Sequence, residues 1–133
     1  MVSQAQYRVQ RTGRMTFGQA IRSCYSNYAT FSGRAPRSEY WYFTLYHFLI
    51  VMFCVAAFPF GISNLLLGIS LVVNILPAIS VMVRRLHDTD HSGWWYWIAF
   101  VPLVGVILLL IWFCTRGTFG ANRFGPDRLS GPD

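Results

Sequence analysis

The chain of 133 residues carries 11 basic side chains against 5 acidic ones, a formal charge of +6, yet only 12% of its positions are charged. Soluble domains hold about 25% charged residues, so with 54% hydrophobic positions and a mean hydropathy of +0.40 this composition excludes an ordinary water-soluble domain. The length allows one domain and excludes a long membrane bundle joined to a separate catalytic domain.

Every basic residue is arginine, which fits a preference for phosphate and equally the base composition of a genome. Cys24, Cys54 and Cys114 are odd in number and widely spaced. They form no disulfide or metal-ligand pattern and read as small hydrophobes. The first long apolar run begins near Tyr40, beyond the first 30 or so positions where a secretory leader keeps its apolar core, so no cleaved leader is expected.

Residues 1–15 carry Arg8, Arg11 and Arg14 among polar residues without periodicity, which predicts a disordered basic arm. A single membrane domain is expected over 16–128, with 129–133 as a tail. Phe17, Ala20, Ile21, Cys24, Tyr25 and Tyr28 recur at steps of three and four, predicting an amphipathic helix over about 16–29. Thr16 and Gln19 fit a capping box at its start. With no soluble core to pack on, this helix is expected to lie in the headgroup plane.

Phe31 to Glu39 is a polar break holding Gly33 and Pro36. Three apolar runs follow, Tyr40 to Phe60, Ile62 to Val83 and Trp94 to Cys114, predicting helices over about 39–60, 62–83 and 94–114. At 1.5 Å per residue about 21 residues match a hydrocarbon core about 30 Å thick. The expected fold is all-α: three transmembrane helices, the first two an antiparallel hairpin about Gly61, plus the interfacial helix. None of the runs has the wide polar face a soluble bundle needs.

Six arginines precede Glu39, Arg84 and Arg85 follow the second run, and Arg116, Arg123 and Arg128 follow the third. An N-terminus on the cytoplasmic side keeps most of them inside. The three in the tail oppose a third full crossing, and a kink at Pro102 is the alternative that returns the tail to the cytoplasm. Trp41 and the Trp94 to Trp97 cluster suit the cytoplasmic interface.

In an antiparallel hairpin of equal rise, residues at matched depth have numbers summing to about 122. That puts Glu39 opposite Val83 to Arg85, and His47 near Asn74, a candidate intramembrane polar contact. A clamp from Glu39 to Arg84 or Arg85 would offset desolvation at the membrane edge; pairing with nearby Arg37 is the alternative. The hexapeptide Leu86 to His91 places His87 and His91 four apart with Asp88 and Asp90 between them. Helical spacing would suit a metal, but a loop beside Ser92 and Gly93 favours a structural turn, and no metal or cofactor is expected. No phosphate loop and no nucleophile–histidine–acid arrangement is visible, so no catalytic residue is assigned. The basic balance is read as attraction to anionic lipid rather than to nucleic acid.

Three segments then carry a resemblance: Phe-Ser-Gly-Arg-Ala-Pro-Arg-Ser-Glu-Tyr-Trp over 31–41, Arg-Arg-Leu-His-Asp over 84–88 with Ser-Gly-Trp-Trp over 92–95, and Gly-Thr-Phe-Gly over 117–120 with Asn-Arg-Phe-Gly-Pro-Asp over 122–127. In this order they resemble the bacterial inner-membrane family called domain of unknown function 805, the YhaH-like proteins, from Phe17 to Arg128. The resemblance implies a small multi-pass protein of the bacterial cytoplasmic membrane with no established activity, and supplies no catalytic residue. The Asp90–His91 pair departs from the family's small or neutral spacer.

The expected function is a non-enzymatic membrane component that binds lipid or a partner through a collar of Arg34, Arg37, Glu39, Arg84, Arg85, His87 and Asp88. Its partners would be the bilayer, anionic headgroups, a second copy or another membrane protein. The alternative is a subunit of an oligomeric transporter or channel for a small solute, motivated by His47, Asn64, Ser70 and Asn74.

Overall fold

The computed structural model describes residues 15–128; the arm expected over 1–15 lies outside them except for Met15, and the 129–133 tail wholly so. The order is α1 (Phe17–Ser26), α2 (Arg37–Ala57), α3 (Phe60–Asp88), a 3₁₀ segment (Gly93–Phe100) and α4 (Val104–Cys114). An isolated bridge between Asn122 and Gly125 is the only β feature among the described residues.

Thr16 starts α1 through a complete capping box: its hydroxyl accepts from the Gln19 N–H, and the Gln19 side chain accepts from the Thr16 N–H. Ala20 and Cys24 are buried, four residues apart on the face turned toward the helix pair.

α2 ends at Ala57, earlier than the apolar run suggests, because Phe58 precedes Pro59 and is driven to an extended conformation. The turn is therefore Phe58–Pro59, and Gly61 lies within the first turn of α3. At about 1.5 Å per residue α2 is about 31 Å long and α3 about 43 Å. α3 continues past Val83 to Asp88, carrying Arg84, Arg85, His87 and Asp88 on a helix that the apolar pattern could not mark.

Pro77 stands inside α3, which is helical from Phe60 to Asp88. Proline lacks an N–H, which leaves the carbonyl four residues earlier without its helical donor. That carbonyl belongs to Val73, and it accepts from the Tyr28 hydroxyl at 3.1 Å. Nearby, the Ser80 hydroxyl lies 2.8 and 2.6 Å from the carbonyls of Asn27 and Thr30, which share its one proton. The end of α1 and its loop are thus tied to α3 by polar groups that a proline and a serine supply.

The helix expected over 94–114 is not continuous. The 3₁₀ segment spans about 16 Å at 2.0 Å per residue and α4 about 16 Å at 1.5 Å, so neither alone matches a hydrocarbon core of about 30 Å. Between them Pro102 cannot donate to a helix, and Leu103 takes a left-handed φ of 64°, a conformation most side chains avoid. Gly105 then packs on the Ile98 backbone so closely that a Cβ would meet the Ile98 carbonyl oxygen at 1.6 Å. The two halves fold back on each other, and their far ends meet: Trp95 and Trp112 rings are 5.8 Å apart, edge to face, and His91 stacks on Trp112 at 4.0 Å. Both ends of the run lie by the C-terminus of α3.

Buried apolar residues form two clusters. Cys24, Ala35, Phe43 and Val81 join α1, α2 and α3, while Leu86, Leu109 and Phe113 join α3 to α4. Outside them the surface is apolar: Phe53, Phe60, Leu65, Val72, Trp94, Phe100 and Leu103 are all exposed. A band of this extent needs hydrocarbon rather than water around it.

Candidate functional site: the arginine and carboxylate collar

Consecutive residues on a helix point about 100° apart, so Arg84 and Arg85 reach different neighbours. Arg84 turns toward α2 and donates from Nη1 to Glu39 Oε1 at 2.9 Å, with both side chains fully buried. The same oxygen accepts from the Ser23 hydroxyl at 3.0 Å and faces the Cys24 thiol at 3.8 Å. Three elements therefore meet on one carboxylate oxygen, while Glu39 Oε2 and Arg84 Nε and Nη2 have no hydrogen-bond partner among the described residues. Burial, reinforced by the Glu39 charge, pushes the Cys24 thiol up to about 12. Burial also raises Tyr25, and its hydrogen bond with Tyr46 adds to this.

Arg85 turns the other way. Its Nη1 donates to Asp88 Oδ2 at 2.6 Å, and its other nitrogens donate to the carbonyls of Trp112, Phe113 and Thr115. Trp41 Nε1 reaches the Phe113 carbonyl at 3.2 Å, and Arg37 Nη1 the Cys114 carbonyl at 3.0 Å. The last carbonyls of α4, which no helical N–H can satisfy, are thus held by two guanidinium groups and an indole, with positive charge placed at the negative end of the helix dipole.

Asp88 is shared. Its Oδ1 accepts from Arg34 Nε at 2.8 Å, and its backbone carbonyl accepts from the Thr118 N–H at 2.8 Å. Arg34 uses the rest of its fork on the C-terminal segment: Nη1 to the Gly120 carbonyl and Nη2 to the Thr118 carbonyl, each at 2.7 Å. Asp127 lies 3.9 Å from Arg34 Nη2 and accepts from the Gly120 N–H at 3.1 Å. The loop before α2, the end of α3 and residues 117–127 are welded through one arginine and one aspartate.

Sequence reasoning singled out Arg34, Arg37, Glu39, Arg84, Arg85, His87 and Asp88, and these residues gather at one end of the helix pair. Their exposure divides them. Arg34, Glu39, Arg84, Arg85, His87 and Asp88 are buried and Arg37 is exposed. Asp127, Thr118 and the α4 carbonyls belong to the same network; for Asp127 the only signal in the chain was its place in the third motif.

The two histidines of the hexapeptide do not share a helical face. α3 stops at Asp88, and Asp90 adopts a left-handed φ of 61°. His87 stacks on Phe124 at 3.9 Å with Nδ1 at 3.0 Å from the Gly33 carbonyl, whereas His91 lies against Trp112 with Nδ1 at 3.1 Å from Thr89 Oγ1. Among the described residues no cluster of three or more metal-binding side chains occurs.

The contact expected between His47 and Asn74 is replaced. Asn74 Oδ1 accepts from the Tyr25 hydroxyl at 2.5 Å and its amide donates to the Ser70 carbonyl at 2.8 Å, while Tyr46 faces Tyr25 at 3.1 Å. The physical reason is α1, whose tyrosine reaches between α2 and α3 and takes the acceptor first. His47 Nδ1 is left buried without a hydrogen-bond partner among the described residues.

Residues 28–126 match the family described as "Protein of unknown function (DUF805)". The chain is similar to inner membrane protein YhaI of Escherichia coli strain K12, 42% identical over 113 residues that cover 79% of this chain and 91% of that protein. It is likewise similar to inner membrane protein YhaH of the same strain, 37% identical over 113 residues, 76% of this chain and 88% of the relative. No solved structure matches.

Proposed function

This chain belongs to the DUF805 family of proteins of unknown function, and from that premise we propose that it is a non-enzymatic component of the bacterial inner membrane that engages anionic lipid at its cytoplasmic face. In this reading α2 and α3 cross the bilayer, while the 3₁₀ segment and α4 dip into it and return. Both the N-terminus and the C-terminal segment then lie on the cytoplasmic side. This arrangement exports none of the described arginines, which removes the charge cost that a third full crossing would carry.

One observation carries the lipid reading: the acidic groups of the collar are consumed internally. Arg34, Arg84 and Arg85 are buried together with Glu39, Asp88 and Asp127, matched three to three. Outside remain Arg22, Arg37, Arg116, Arg123 and Arg128, opposed among the described residues by Asp90 beside Arg123 and by the edge of Asp127 that lies 3.9 Å from Arg116. The buried collar is accordingly a structural lock, and the excess positive charge is presented to the surroundings. An anionic membrane surface favours each such residue by about 1 kcal/mol.

The test compares purified protein in nanodiscs of zwitterionic lipid with nanodiscs containing anionic lipid. A higher unfolding temperature in the anionic discs, with the gain shrinking as salt rises, is expected. Equal stability in both would overturn the reading. Solute flux through protein reconstituted in liposomes, lost on His47→Leu, would favour the transporter subunit instead.

A further inference from the structure

Resting on the lipid reading above, we propose that Arg37, which binds the last carbonyl of α4, and Arg116, two residues beyond that helix, form a discrete site for the phosphate diester of one anionic lipid molecule.

Arg37 differs from the other arginines of its cluster. Arg34, Arg84 and Arg85 each bind a buried carboxylate, whereas Arg37 is exposed and its described hydrogen bond goes to a carbonyl, that of Cys114. That bond uses Nη1 only, and the remaining N–H groups of the fork stay available to an acceptor. The same bond brings Arg37 to the stretch of chain that carries the second cation. Arg116 follows Cys114 by two residues, so its Cα lies within about 7 Å of the Cys114 Cα. Its guanidinium rests 3.7 Å above the Phe119 ring, and its nearest carboxylate, Asp127 Oδ2, is 3.9 Å away and already accepts from the Gly120 N–H. Two incompletely neutralised guanidinium groups thus belong to residues close to one helix end, and a phosphate, two of whose oxygens the planar guanidinium fork can engage together, is the anion that arginine matches best.

The surroundings select a lipid over a free phosphate. Trp41, one turn on from Arg37, is exposed and donates to the Phe113 carbonyl. An indole with its N–H satisfied and its ring outward marks the headgroup level. On the membrane side of it Leu45, Leu110 and Ile111 are exposed and give acyl chains an apolar surface. Charge and greasy surface adjoin, as a headgroup and its tails require.

Native mass spectrometry of the full chain in neutral detergent, titrated with phosphatidylglycerol, tests the site. One tightly held lipid is expected, with binding about fivefold weaker in Arg116→Gln and about thirtyfold weaker in Arg37→Gln/Arg116→Gln. Arg123→Gln, which alters an exposed arginine paired with Asp90, should bind as the parent does. Since Arg37 also holds α4, the Arg116→Gln variant and Arg37→Lys/Arg116→Lys, which keeps both charges but not the forks, separate binding from folding; the lysine variant should bind more weakly than the parent and more tightly than the double glutamine variant. Unchanged affinity in Arg116→Gln, or an equal loss in Arg123→Gln, overturns the discrete site while leaving a general lipid preference standing. Absence of any preference for phosphatidylglycerol over a zwitterionic lipid in the parent overturns both. Competition by inorganic phosphate at equal concentration would mean free-anion binding and overturn the lipid assignment.

Discussion

Gly117 lies against the carboxylate of Asp88, so near that a Cβ in its place would stand 2.1 Å from Oδ2. The space, and not the backbone conformation, requires glycine here. Gly117→Ala is therefore expected to push Asp88 off Arg34 and Arg85 and destabilise the chain by about 1–3 kcal/mol, the usual cost of overpacking. Thermal unfolding in detergent measures it, and limited proteolysis should cut residues 117–128 sooner. An unchanged melting temperature would show that the weld has slack.

The partner of Glu39 is Arg84, and Arg85 is committed elsewhere. Glu39→Arg should cost about 3–5 kcal/mol by leaving like charges buried together. Adding Arg84→Glu should recover part of the folded yield, incompletely because Ser23 and Cys24 donate to Glu39. Adding Arg85→Glu instead should recover none. Yields of monodisperse protein after detergent extraction distinguish the two pairs.

Arg34 donates from one planar fork to five acceptors, the Asp88 carboxylate and the carbonyls of Asp88, Thr118, Gly120 and Gly125, a geometry that an ammonium group cannot reproduce. Arg34→Lys is expected to cost about 3 kcal/mol despite conserving the charge, since carbonyls at Thr118 or Gly120 lose their donor. Chemical denaturation with an equal loss in Arg34→Gln and Arg34→Lys would support this, whereas full function of lysine would reduce the role of Arg34 to charge.

Cys24 is fully buried and Cys114 exposed. With its thiol raised from an ordinary 9.0 to about 12, Cys24 should hold roughly a thousandfold less thiolate than a normal cysteine below pH 9. A membrane-permeant maleimide should label Cys114 first and Cys24 only on unfolding. The sign of the pH dependence follows: the contribution of the neutral thiol to stability is whole below 9.0 and is lost as pH climbs toward about 12. Destabilisation of the folded chain by pH 10 through 12 should be smaller in Cys24→Ala.

A reporter fused after Asp133 should read on the same side of the membrane as one fused at the N-terminus. Opposite readings would restore a third full crossing and remove the returning hairpin.

Much of the frame was local and hence legible. The capping box of Thr16 and Gln19 and the apolar runs depend on residues a few positions apart, where periodicity and backbone chemistry act, although the turn expected about Gly61 falls at Phe58–Pro59. The depth sum of about 122 places Glu39 opposite Val83 to Arg85, and Arg84 is where the carboxylate finds its partner at 2.9 Å. Other choices are long-range. Pro102 signalled a kink, but the fold-back needs Leu103 in a left-handed conformation and Gly105 seated on Ile98. His47 and Asn74 looked like natural partners until α1 supplied Tyr25, a residue 49 positions from Asn74.

The chain alone therefore decided that an apolar, arginine-collared helical protein would seek a bilayer, because composition and short-range pattern set burial and helix formation regardless of neighbours. The tertiary structure alone decided which arginines are spent and which face outward. Arginines are chemically equal in sequence, and only packing, which buried Arg34, Arg84 and Arg85 beside carboxylates and left Arg37 with a carbonyl, makes them differ.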